Sequence, residues 1–131
     1  MSGLAATDGR GGRKPRLRFP KAARLTRVAE FARVRTEGKP MHGRMMVLGI
    51  LKDSGDVTTR VGIVTSRRVG GAVVRNRVRR KLREIFRAAR SRLAPGIWLV
   101  IVAKSPAAKA SFEMLSGEWS QLARRGGILR D

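Results

Sequence analysis

Residues 70–86 read GGAVVRNRVRRKLREIF, and both the fold and the function turn on them. Val74, Val78, Leu82, Ile85 and Phe86, followed by Ala89 and Leu93, recur every three to four residues, the repeat of one apolar helix face. The spacing predicts a helix over 73–93, ended by Pro95-Gly96. Its remaining surface is cationic: residues 67–92 hold eleven Lys or Arg and one acid, Glu84. Arg75, Arg79, Arg83, Arg87 and Arg90 follow one another along the helix, flanked by Arg77, Arg80 and Lys81. Like charges four apart destabilise an isolated helix by about 0.2–0.5 kcal/mol per pair. Solvated faces avoid this by mixing signs. A face that does not mix them reads as a surface for phosphates.

The start of the helix strengthens that reading. Gly70-Gly71 leaves backbone N–H groups accessible at the positive end of the helix dipole, a setting suited to phosphate. Arg67-Arg68 stands just upstream. Asn76 is the one uncharged polar residue between Arg75 and Arg77. Its amide can pair with a base or ribose, or bond back to the loop before the helix; the sequence leaves both open.

The whole chain carries the same signal. Thirty Lys and Arg against nine Asp and Glu give a net charge of +21, which calls for a polyanionic partner. Arg outnumbers Lys 23 to 7, and its planar fork grips phosphate through two hydrogen bonds and stacks on bases. With 131 residues, 42% of them apolar, the chain affords one domain with a modest core. It has no Cys and a single His, His42, which excludes thiolate metal sites, disulfides and histidine triads. No carboxylates pair recognisably for acid–base work, and no run approaches the length of a membrane span. The expected location is the cytoplasm.

Working outward, residues 1–22 mix Gly, Pro and basic residues and read as a disordered basic arm, with one RNA-binding domain over 23–128. Thr26 is placed to cap a helix over 26–36, with Glu30 in its first turn and Gly38 as its stop. RMMVLGILK (44–52) reads as a buried strand, Asp53-Ser54-Gly55-Asp56 as a turn, and VTTRVGIVTS (57–66) as the returning strand of a hairpin. IWLVIVAK (97–104) reads as a central strand, and Ser111 as the cap of a last helix reaching Arg125. His42 falls in a loop-like stretch and reads as solvent-exposed; Trp98 and Trp119 read as core, and Lys104 as an exposed strand end. Helices alternating with strands give an α/β (α+β) two-layer sandwich.

Residues 60–86 also resemble a known family, that of the bacterial ribonuclease P protein. Arg60-Val61-Gly62, Ser66-Arg67-Arg68, Gly70, Ala72-Val73, Arg75-Asn76-Arg77, Arg79-Arg80, Arg83 and Phe86 fall on its pattern in order. The likeness extends upstream through Arg24-Leu25, Phe31, Val34 and Gly38, and downstream through Ala103-Lys104 to the last helix, about 24–125 in all. The resemblance implies an α-β-β-β-α-β-α topology with a left-handed crossover, where the ordinary rule predicts a right-handed one. It implies a protein subunit of ribonuclease P, an endonuclease whose RNA subunit is the catalyst and, with substrate, holds the Mg2+. The partners implied are ribonuclease P RNA, bound one to one, and precursor tRNA. The RNA-binding residues implied are Arg67, Arg68, Arg75, Asn76, Arg77, Arg79, Arg80, Lys81, Arg83 and Arg87. Phe31 and Arg35 would line a cleft between the first helix and the sheet that holds the single-stranded 5′ leader.

The chain departs from the family at the glycine before the helix, where Gly71 often gives way to Asn, and in the cleft. There Arg35 and Gly49 stand where aromatics can occur. Stacking is worth about 1–3 kcal/mol per base. The expectation is that Arg35, with Arg33 and the basic arm, replaces stacking by charge. Periodicity alone would place Phe31 in the core. Two other classes fit the composition: a structural RNA binder of ribosomal type, separated only by the 70–86 motif, and a self-sufficient basic nuclease, which would need grouped carboxylates or histidines.

Overall fold

The computed structural model describes residues 23–130. In chain order the elements are α1 (Val28–Glu37), β1 (Lys39–His42), β2 (Met46–Leu51), β3 (Arg60–Thr65), α2 (Ala72–Ala89), β4 (Trp98–Ala103) and α3 (Phe112–Arg125), with single 3-10 segments at Arg90–Arg92 and Ser105–Lys109. This is the α-β-β-β-α-β-α order, built on one four-stranded sheet. The basic arm expected over 1–22 lies outside the described residues.

The strands lie in the order β1-β2-β4-β3, antiparallel except for the parallel pair β3 and β4. The hairpin expected between 44–52 and 57–66 does not form, because β4 lies between those strands. WLVIVA is apolar on both faces and takes a central position, where both faces are covered. The returning strand is also shorter than expected. Thr59 Oγ1 donates to the Ala94 carbonyl at 2.8 Å and Thr58 N–H to Asp56 Oδ1 at 3.0 Å, so 57–59 belong to the loop.

Helix ends follow local chemistry with one change. Ser111 caps α3, its Oγ accepting from Met114 N–H at 3.1 Å. Thr26 does not cap α1. Glu30 reaches back instead, accepting from the N–H groups of Thr26 and Arg27 at 2.9 Å each, and Arg27 takes the cap position. The Arg27 N–H is the main reason the Glu30 carboxyl sits below its ordinary pKa; partial burial works against it. Helix α2 starts after Gly70, whose φ of +151° suits glycine alone. It yields to the 3-10 turn after Ala89 rather than running on to residue 93.

Side chains alternate across the sheet and define two unequal faces. On the rear face Met46, Leu48, Ile50, Val61, Leu99 and Ile101 pack against Leu82, Ile85 and Phe86 of α2 and Leu115, Trp119 and Leu122 of α3. Trp119 is core, as its spacing indicates, at 1% exposure. On the front face α1 and the segment before it cover the strands, with Leu25, Phe31 and Val34 packed with Val100, Trp98 and Leu51. Glu118 of α3 ties the layers together. Its carboxylate accepts three backbone N–H groups of the β1–β2 turn, from Arg44, Met45 and Met46, at 2.7–2.9 Å.

Candidate nucleic-acid interface

Strand register sorts the front face into three rows. Leu51, Trp98 and Arg60 form the lowest. Pro40, Gly49, Val100 and Gly62 form the middle one, and His42, Val47, Val102 and Val64 the highest. Helix α1 lies on the middle row because that row has two glycines. A Cβ on Gly49 would stand 3.2 Å from Val34 Cγ1, and one on Gly62 would fall 2.4 Å from Phe31 Cε1. The aromatic that can occur at position 49 is therefore replaced by a glycine on which the helix rests.

The lowest row is closed by a polar network. Arg33 Nη1 donates to the Ser54 carbonyl at 2.7 Å, its Nε pairs with Glu37 at 3.2 Å, and its guanidinium lies 5.3 Å over the Trp98 ring. Trp98 Nε1 donates to Asp56 Oδ2 at 3.3 Å, and the same oxygen pairs with Arg60 at 2.7 Å. Trp98 is thus half-buried with a polar edge, where the sequence reading made it core. The Asp56 carboxyl is held below the usual range, first by the Thr58 N–H, then by Trp98 and Arg60, against the opposing effect of burial. Arg33, expected to serve RNA, is committed to joining α1 to the 53–56 turn.

The highest row is the least covered: Val102 touches the α1 cluster, and the row opens toward its ends. Val47 and Val102 are half-buried, and Val64 is 37% exposed, large for a valine facing its own helix layer. Phe31 is half-buried over Gly62 and Arg35 is exposed, so both cleft candidates stand on the helix that bounds this floor. Phe31 is partly core, packed on the front cluster, with the rest of its ring accessible.

On the rear layer, the outward half of α2 presents the cations. Arg67, Arg68, Asn76, Arg77 and Arg80 are exposed; Arg75, Arg79, Lys81, Arg83 and Arg87 are half-buried. At 3.6 residues per turn, Arg75, Arg79, Arg83 and Arg87 share one flank, while Arg77 and Lys81 lie on the other. Arg79 fixes the first flank to the sheet edge: Nη2 donates to Thr65 Oγ1 at 2.8 Å and Nη1 to Asn76 Oδ1 at 3.0 Å. The Asn76 carbonyl thus serves a local bond, to Arg79 rather than to the preceding loop, and its amide N–H groups remain as donors. Lys81 Nζ bonds the Ala110 carbonyl at 3.0 Å, and Arg87 pairs with Glu84. Arg83 is pulled below the ordinary guanidinium pKa by burial first, and then by Arg24, Arg79, Arg80 and Arg87. It remains charged at neutral pH, in a concentrated positive field that phosphates would relieve.

Sequence reasoning missed Glu118 and the Arg33–Trp98–Asp56–Arg60 network. The Asp56–Arg60 pair is local, but the links that close the network, Arg33 to Ser54, Trp98 to Asp56 and Glu118 to the β1–β2 turn, join residues far apart in the chain. Among the described residues no group of three or more His, Cys, Asp or Glu stands together, and no helix is long and apolar enough to cross a membrane.

Known proteins with the same features fall in one family. The Ribonuclease P family model matches residues 19–126. The ribonuclease P protein component of Roseiflexus castenholzii is 35% identical over 111 residues, covering 84% of this chain and 90% of the relative. That of Symbiobacterium thermophilum is 36% identical over 110 residues, covering 84% and 96%. Among solved structures, the RNase P protein of Staphylococcus aureus superposes with a TM-score of 0.77 at 24% identity, covering 84% of this chain and all of the other. The RNase P protein of Thermotoga maritima gives 0.70 at 27% identity, covering 78% and 96%. The cationic helix, the sheet order and these matches agree: the chain belongs to the ribonuclease P protein family, the protein component of an endoribonuclease that processes the 5′ end of tRNA.

Proposed function

We propose that this chain divides the ribonuclease P task with an RNA subunit: α2 binds that RNA, and the front cleft holds the 5′ leader of precursor tRNA. Family membership implies association with ribonuclease P RNA. The outward half of α2 supports the first assignment, since Arg67, Arg68, Arg75, Asn76, Arg77, Arg79, Arg80, Lys81, Arg83 and Arg87 lie on it or on the loop that starts it. The open row His42-Val47-Val102-Val64 carries the second. Three of its four residues are apolar valines that can lie against bases, and Phe31 and Arg35 stand on the neighbouring helix.

The chemistry belongs to RNA-bound Mg2+ in this reading. Five acids among the described residues have structural duties: Glu30 closes α1, Glu118 the β1–β2 turn, Asp56 the Arg60–Trp98 network, and Glu84 and Glu37 pair with neighbouring arginines. Mg2+ held by RNA and substrate would supply the activated water and neutralise the leaving group. The protein's contribution is to neutralise phosphates so that the RNA folds and substrate binds with less magnesium. One protein per RNA subunit is the stoichiometry proposed, in the cytoplasm, where tRNA is made.

The deciding experiment is precursor tRNA cleavage at low magnesium with a matched ribonuclease P RNA. Cleavage at the mature 5′ end is expected with both components and with neither alone. A folded protein that leaves cleavage unchanged would remove this assignment and favour a structural RNA binder.

A further inference from the structure

His42 is the only histidine in the chain, and its position is not the loop that its sequence context indicates. It ends β1, paired with Val47, and residues directly opposite in an antiparallel pair point to the same face. Met41 packs into the rear core, so alternation turns His42 to the front. The imidazole therefore ends the open row Val64-Val102-Val47, exposed at the outer margin of the cleft, with α1 on the neighbouring row.

Lys104 stands beside it. The residue after β4 keeps an extended backbone, which puts its side chain on the same face as Val102. Its Nζ donates to the carbonyl of Gly43, the residue after His42, at 2.8 Å. An ammonium has three donors, so two remain for a phosphate. The turn that carries His42 is otherwise fixed by Glu118 behind it. A flat ring and a cation are thus presented together at the end of an apolar strip.

We infer that His42 stacks on an unpaired base of the leader while Lys104 holds an adjoining phosphate, forming a base subsite at the β1 margin of the cleft. This rests on the leader reading of the front face. A stacked imidazole supplies an aromatic platform, which neither Arg35 nor Gly49 has, and stacking tolerates any base.

The test uses the assembled holoenzyme and cleavage-blocked precursor tRNA with a long or a short leader. His42→Ala should weaken long-leader binding about tenfold, equivalent to about 1.4 kcal/mol, and leave the short-leader substrate unchanged. His42→Phe should keep wild-type affinity, and His42→Lys should behave as His42→Ala. Thermal unfolding of each variant should match the wild type, since the ring is exposed. Unchanged long-leader binding in His42→Ala, or full rescue by His42→Lys, overturns the stacking subsite while the cleft stands. If the wild type itself does not distinguish the two leaders, the cleft reading fails and the subsite with it.

Discussion

The two faces of the sheet are built by opposite rules. The rear face is filled by large aliphatic side chains that meet two helices, and its residues are buried almost without exception. The front face seats one helix on two glycines and leaves a third of its rows open. Fold stability therefore rests on the rear, and the front is free to present an apolar strip that a monomeric protein would ordinarily cover. The cations also divide. On α2, Arg77 and Arg80 are exposed while Arg79, Lys81 and Arg87 hold neighbouring groups; Arg33 of α1 holds its helix in place.

Truncating one side chain on each face gives the largest contrast. Leu99, fully buried on the rear, should cost about 2–5 kcal/mol when changed to Ala. Val64→Ala on the front should stay within about 0.5 kcal/mol. Urea denaturation reads both, and similar losses would contradict the division. The glycine seat comes next. Gly62→Val pushes a branched side chain into Phe31 and should cost about 1–3 kcal/mol while weakening long-leader binding. Stability lost with leader affinity intact would mean that the seating of α1 does not shape the cleft.

Much of the rear face was legible in the sequence, and little of the front. Helix α2 announces itself because its apolar residues keep a helical repeat over five turns, and α3 because Ser111 and its stripe agree. Strand order is a tertiary matter. Nothing local in 44–66 says that β4 will enter between β2 and β3. The short edge strand KPMH has no apolar alternation, so His42 reads as loop until its pairing with Val47 gives it a face. Arg33 resembles any other exposed arginine, because Ser54, its acceptor, is 21 residues away. The outward-facing cations of α2 were identifiable from its own repeat. What could not be read is which of them have donors tied down, as Arg79 does through Thr65 and Asn76.

Exchanging arginines between the two roles sharpens the contrast. Arg77 is exposed on α2, and Arg77→Ala should weaken assembly with the RNA subunit by about 1–2 kcal/mol without moving the unfolding temperature. Arg33→Ala should do the reverse, lowering stability through the lost Ser54 and Trp98 contacts while leaving RNA subunit affinity unchanged. Filter binding and thermal melts on the two variants decide it. Loss of RNA affinity in Arg33→Ala would mean that the residue contacts RNA as well as holding α1.

The smallest effect is a dependence on pH at the lowest front row. Asp56 has its pKa depressed in the folded protein, chiefly by the Thr58 N–H and further by Trp98 and Arg60. A group depressed on folding stabilises the native state at pH values above its unfolded pKa, roughly 4 for Asp. That contribution is lost as pH falls through the folded value, when protonation removes the acceptor that Arg60 and Trp98 share. Asp56→Asn should therefore be less stable than the wild type at neutral pH, by about 1 kcal/mol. The difference should shrink on acidification below about pH 4. Glu30, also depressed, is present in both proteins and leaves a common residual slope. Melting both proteins from neutral to acid pH separates the two contributions. A gap that stays constant with pH would mean the carboxylate's charge does not hold the row closed and that its hydrogen-bonding shape alone suffices.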